Sequence, residues 1–157
     1  MDDALFRLPL YTFCSGFVLK VIENISIKIF IATASAWTIS QIESILFFVQ
    51  VIGSLFFILL IGFYLQKQYS MKDFFLSSSL LVVYSIVVLL LEKALLFLGV
   101  YSIAIYFLHL PTYLFSFLNL ILFHFIQGEI PAFFNILYLF FPYLFLLFAK
   151  KGKENHA

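Results

Sequence analysis

Long apolar runs decide in which solvent this chain folds. A helix needs about 20 predominantly apolar residues to cross roughly 30 Å of hydrocarbon. Four segments reach or approach that length: Ile45 to Leu65, Phe74 to Leu98, Val100 to Ile126 and Ala132 to Ala149. The first is broken only by Gln50, Ser54 and two glycines, and the second carries Glu92 and Lys93 near its end. The third has Pro111 in its middle, and the fourth runs into Lys150, Lys151 and Lys153. Such segments must be helical, because an open sheet edge has no partner in lipid. The expectation is therefore an all-α, polytopic transmembrane bundle forming a single domain over residues 1–157.

Composition points the same way. Hydrophobic residues make up 64% of the chain and charged residues 11%, with a mean hydropathy of +1.12. Soluble domains run near 45–50% apolar and about 25% charged, and a small soluble fold has too little interior to hide the excess. The net charge of +1 gives no basic face for nucleic acid. With Cys14 as the single cysteine and three histidines, there is no internal disulfide, and neither a zinc framework nor a cofactor motif is present. Cys14 lies in an apolar run and reads as a small core residue. The start, Met1-Asp2-Asp3-Ala4, lacks the basic region of a cleavable signal peptide.

The first 42 residues divide less cleanly. Leu5 to Val21 is apolar enough to span, with Pro9 near its start, where a helix tolerates proline. Ile25 to Ile42 contains Lys28 and several hydroxyl residues. It reads as a weak span, a re-entrant piece or an interfacial one, so the span count is about five, within a range of four to six. Basic residues concentrate on the cytoplasmic side. Five spans place Lys20, Lys28, Lys93 and the 150–157 tail in the cytoplasm, with Lys67 and Lys72 outside; six spans reverse much of that. The count favours five, with the N-terminus outside and main helices over 43–149. The expected location is a cell membrane, a bacterial inner membrane, with the lipid bilayer as the first partner.

Ionisable groups at bilayer depth are costly and face a bundle interior or a cavity. Glu92 and Lys93 read as a membrane edge, with Lys93 snorkelling to the headgroups. His124, close to Gln127 and Glu129, reads as interfacial. His109 lies about nine residues, or roughly 14 Å, into the Val100 segment. It is either an imidazole hydrogen-bonded to a neighbouring helix or a proton carrier in a polar cavity. Pro111 adds to the cavity reading, since it frees the carbonyl of Phe107 and bends the helix. No G-x-S-x-G, H-E-x-x-H, Walker or Rossmann pattern occurs. Ser15–Gly16 reads as a bend or a close helix contact.

Two stretches go beyond composition. In Leu98-Gly-Val-Tyr-Ser-Ile-Ala-Ile-Tyr-Phe-Leu-His-Leu-Pro111, Leu98, Gly99, Ser102, Ile105, Tyr106, His109 and Pro111 fit a pattern L-G-x-x-S-x-x-I-Y-L-x-H-x-P. In Phe6-Arg-Leu-Pro-Leu-Tyr-Thr-Phe-Cys-Ser-Gly-Phe17, Pro9, Leu10, Phe13, Ser15, Gly16 and Phe17 fit F-x-M-P-L-F-F-F-x-S-G-F/Y, with Leu8 in place of Met. In this order, with a last span ending in lysines, they resemble a late helix and the second helix of the membrane-bound acyltransferase family 3. The resemblance implies transfer of an acyl, typically acetyl, group from an acyl-CoA donor to a cell-surface glycan such as lipopolysaccharide or capsule. It also implies a C-terminus in the cytoplasm.

The departure from that family is as informative. Its first helix supplies an essential histidine with a basic residue eleven positions earlier. Here Leu98, Tyr113 and Phe145 stand eleven positions before His109, His124 and His156. The chain therefore reads as a shortened member without the first helix and the middle spans. It is expected to be inactive alone, unless the missing helices come as a separate chain. The competing expectation is a small non-enzymatic membrane protein: an accessory subunit, a permease component or an immunity-type factor.

Overall fold

The computed structural model describes residues 3–33, 39–100, 104–125 and 137–149. These residues are mostly helical, joined by short turns, with no strand among them. Helix α1 spans Asp3–Thr33, α2 Ile39–Leu65 and α3 Met71–Phe97. Three short helices follow, α4 Ala104–Leu108, α5 Leu110–Tyr113 and α6 Phe117–Phe125, and then a closing 3-10 helix, Tyr138–Phe148.

Helix α3 shows how local chemistry sets these limits. Ser70 caps its start: the Asp73 N–H donates to Ser70 Oγ at 3.3 Å, and the Ser70 N–H donates to Asp73 Oδ2 at 2.9 Å, a reciprocal capping box. At the other end, Gly99 adopts φ +71°. Its N–H donates to the Leu96 carbonyl at 3.0 Å, and the Val100 N–H donates to that of Leu95 at 2.9 Å. That pairing is a Schellman stop, and it needs a left-handed residue that glycine supplies without a Cβ clash.

The first three helices form an antiparallel set. Arg7, near the start of α1, donates to Gln68 Oε1 in the α2–α3 turn at 2.8 Å. The end of the closing helix reaches the same end of the bundle, where Phe148 packs on Gly62 and its ring meets Phe63 edge-on at 5.4 Å. Pro142 lies within that 3-10 helix, and its carbonyl accepts from Ser78 Oγ at 2.9 Å. The shared core gathers Leu8 and Leu19 of α1, Ile61 and Leu65 of α2, Phe74 and Leu81 of α3, and Phe115 and Phe145.

Helices α2 and α3 are long and apolar enough to cross a membrane: the most apolar 18-residue windows within Ser40–Leu65 and Met71–Phe97 have mean hydropathies of 2.6 and 2.5. Beside their core residues, both helices bury small polar groups and expose large apolar ones. Ser54, Ser77, Ser78 and Ser85 are buried, while Phe48, Ile52, Phe56, Val83, Val87 and Leu90 face outward. Of these hydroxyls, Ser85 Oγ donates within its own helix, to the Leu81 carbonyl at 2.7 Å, while Ser78 Oγ reaches across to Pro142.

Several expectations from sequence change here. The Ile25–Ile42 segment is not one unit: its first part completes α1 and its last residues begin α2. The division made between Val21 and Ile25 falls inside α1, where the Glu23 carboxylate finds partners in the bundle. The Val100–Ile126 run is not a continuous helix but breaks at His109 and again at residues 114–116. The start of α1 and the end of the closing helix lie at the same end of the bundle. Cys14 is exposed rather than a core residue. Ser102, His156, Gln127, Glu129, Lys150, Lys151, Lys153 and the side chain of His124 lie outside the described residues.

Candidate functional site

The break in the third apolar run builds the site. Pro111 has no N–H to give to the carbonyl four residues back. The Thr112 N–H turns to the His109 carbonyl at 3.1 Å, and the carbonyl of Leu108 is taken instead by the Tyr84 hydroxyl at 2.7 Å. Ser116 Oγ donates to the Tyr113 carbonyl at 2.6 Å and accepts from Gln50. Tyr84 of α3 and Ser116 itself thus satisfy backbone carbonyls at the break, which an apolar surrounding requires, and Gln50 of α2 holds the Ser116 hydroxyl.

The broken segment is seated on α1 at one point. A Cβ added to Gly16 would lie 2.0 Å from the carbonyl oxygen of Leu110. Only glycine lets the two backbones approach so closely. This seating brings together the two sequence runs, 6–17 and 98–111, that were singled out by pattern.

Beside this contact lies a cavity of about 480 Å³, with Phe17, Lys20 and Asn24 of α1, Glu92 of α3, and Tyr106, His109 and Tyr113 on its walls. Two polar clusters face it. In the first, Glu23 Oε2 accepts from the Tyr113 hydroxyl at 2.5 Å and from Lys20 Nζ at 3.3 Å. Lys20 Nζ also donates to the Tyr113 oxygen at 2.9 Å and sits 4.5 Å from that ring's centroid. The Glu23 side chain is 3% exposed, and its second oxygen has no hydrogen-bond partner among the described residues. In the second cluster, His109 Nε2 lies 3.3 Å from Glu92 Oε2, both side chains about one-third exposed.

Removing a carboxylate from water costs several kcal/mol unless donors replace the lost hydration. Tyr113 and Lys20 supply those donors to Glu23, so the first cluster also fastens α5 to α1. The second cluster ties the helix break to the last turns of α3. An imidazole beside a carboxylate is the arrangement of a base and the group that orients it.

The other pattern residues fall into separate roles. Pro9 sits in the first turns of α1, where its carbonyl accepts from Thr12 Oγ1 at 2.9 Å. Ser15 is buried next to Gly16, Gly99 ends α3, Tyr106 lines the cavity and Pro111 begins α5. His109 stands between α4 and α5, where its ring reaches Glu92. Glu92, read as a membrane edge, is also the histidine's partner. Lys20, Glu23 and Tyr113 were missed as a group. Their one signal was a Lys-x-x-Glu spacing inside an apolar helix, which puts both side chains on one face. Comparison with protein families, with curated proteins and with solved structures finds no match for this chain.

Proposed function

We propose that the chain is a multi-pass membrane protein, with four crossings made by α1, α2, α3 and the closing helix and with the broken segment folded among them. In this reading it resembles the glycan O-acyltransferases of family 3 and forms the walls of an acyl-transfer cavity without supplying the base. The supporting observation is the seat of Leu110 on Gly16, which joins the two stretches that carry the resemblance around one cavity. The outward Phe, Ile, Val and Leu side chains of α2 and α3 support the membrane part, since lipid solvates them and water does not.

The charge pattern gives an orientation. Arg7, Lys67 and Lys72 lie at one end of the bundle, the end at which Phe148 finishes just before Lys150 and Lys151 in sequence; Lys28 and Lys93 belong to the other. The basic end faces the cytoplasm. This places the N-terminus in the cytoplasm, opposite to the expectation from the basic-residue count, while keeping the cytoplasmic C-terminus that the resemblance implies.

Acyl transfer needs an acceptor hydroxyl to attack a thioester carbonyl, a base to take its proton, and a donor for the oxyanion. No histidine here has a basic residue eleven positions before it, the spacing that the resemblance attaches to the base. The chain by itself is therefore expected not to O-acetylate surface polysaccharide in a strain lacking its own acyltransferase. Activity is expected when a helix carrying the R/K-x10-H motif is co-expressed. Acetylation by the chain alone, abolished in His109→Ala, would contradict this and make His109 the base. A second reading, a non-enzymatic membrane subunit, is favoured by the pairing of the cavity's ionisable groups among themselves; no acetylation with or without the added helix would select it.

A further inference from the structure

The cavity presents one positive and one negative group, both partly open to it, on different helices. A lysine ammonium has three N–H donors. Among the described residues, two of those on Lys20 are used, on Glu23 and Tyr113, and the side chain is 37% exposed. Glu92 gives one oxygen to His109 and is 34% exposed. The residues that hold these two charges, Tyr113 and His109, stand four apart across α5, which spaces their Cβ atoms by about 5–6 Å. Aromatic and aliphatic side chains complete the lining, among them Phe17, Leu96, Ile105 and Phe107.

The depth of the cavity is also set. Glu92 lies 21 residues beyond Met71, the start of α3, or about 32 Å at 1.5 Å per residue. That is close to one hydrocarbon thickness of roughly 30 Å, so the cavity sits where the headgroups of the far leaflet begin.

We propose that this cavity is a binding site for a zwitterionic phospholipid headgroup, phosphoethanolamine, with the phosphate at Lys20 and Asn24 and the ammonium at Glu92. An acyl chain then lies along Phe17, Leu96 and Phe107. A purely anionic head meets the Glu92 carboxylate without a counter-charge, and a bulky trimethylammonium cannot donate a hydrogen bond to it. Neither is the preferred ligand. The Glu23 carboxylate, buried behind Lys20, fixes the amine toward the cavity instead of leaving it to swing into solvent. The proposal rests on the membrane reading and is independent of acyl transfer.

The test is lipid titration of the purified protein by native mass spectrometry, with phosphatidylethanolamine, phosphatidylcholine and phosphatidylglycerol of matched acyl chains, and with soluble glycerophosphoethanolamine. Phosphatidylethanolamine is expected to bind most tightly. Glu92→Gln is expected to weaken it roughly tenfold, the scale of one charge-assisted hydrogen bond, without weakening phosphatidylglycerol. The soluble headgroup is expected to bind far more weakly than the lipid. Equal affinity for the three lipids in the unaltered protein, or a preference for phosphatidylglycerol, overturns the proposal whatever the variant does. Equal binding of the soluble headgroup overturns its lipid part. Release of the protein by alkaline carbonate would defeat the membrane reading itself, whereas a carbonate-resistant protein indifferent to headgroup defeats only this inference.

Discussion

Helices α2 and α3 and the stretch from Ala104 to Phe125 draw on almost the same residue types, yet they fold differently. The first two run unbroken for 27 residues each, keep small hydroxyls inside and turn large apolar groups outward. The third run breaks twice, and its polar groups reach across to α1, α2 and α3. Apolar content alone makes a helix; it does not keep one straight. Pro111 removes a donor, and Thr112 and Ser116 offer hydroxyls to the local carbonyls, so the backbone has cheap alternatives to the regular ladder. Where those alternatives are taken, charged side chains can gather.

The most damaging change expected is at the seam between the two regions. Gly16→Leu forces a side chain into the Leu110 backbone, which cannot retreat as a side-chain tip can. Loss of folded protein from detergent extracts is expected, above the roughly 1–3 kcal/mol usual for overpacking. A stable Gly16→Leu protein would show that the broken segment does not rest on α1.

Ile52→Lys probes the other region. Ile52 is at the middle of α2 and 64% exposed. In hydrocarbon the substitution is expected to cost about 2.5–3.5 kcal/mol of insertion energy, read as reduced membrane abundance. In water an outward substitution stays within about 0.5 kcal/mol, so unchanged abundance and stability would mean that this face is not in lipid.

Tyr113→Phe removes one of two donors to the buried Glu23 oxygen and is expected to destabilise by about 1.5–3 kcal/mol, the scale of a hydrogen bond to a charged group. Thermal unfolding in detergent measures it; no change would mean that Lys20 alone satisfies the carboxylate. Smallest is Gly99→Ala. Open space surrounds that position, so the cost is backbone conformation alone, about 1–2 kcal/mol. A larger loss would reveal packing at the end of α3.

These contrasts explain what the sequence disclosed. Apolar length marked α2 and α3 well, because nothing in them competes with the ladder. Gly16 and Gly99 stood out by pattern, although their physical roles, a seat and a helix stop, became visible only with partners in place. The pairing of Glu92 with His109, and of Glu23 with Tyr113, joins residues far apart in the chain, and no local spacing encodes it. The division between Val21 and Ile25 failed for the same reason: Glu23 stays within α1 through partners that only the fold supplies.

The central claim is an even number of crossings with the basic end in the cytoplasm. It is tested most directly by fusing reporters, one active only in the cytoplasm and one only outside it, before Met1, within residues 66–70, after Ala157, and in the connection at residues 34–38. The first three sites are expected to score as cytoplasmic and the fourth as external. Opposite locations for the two termini, or cytoplasmic signals at all four sites, would contradict the account.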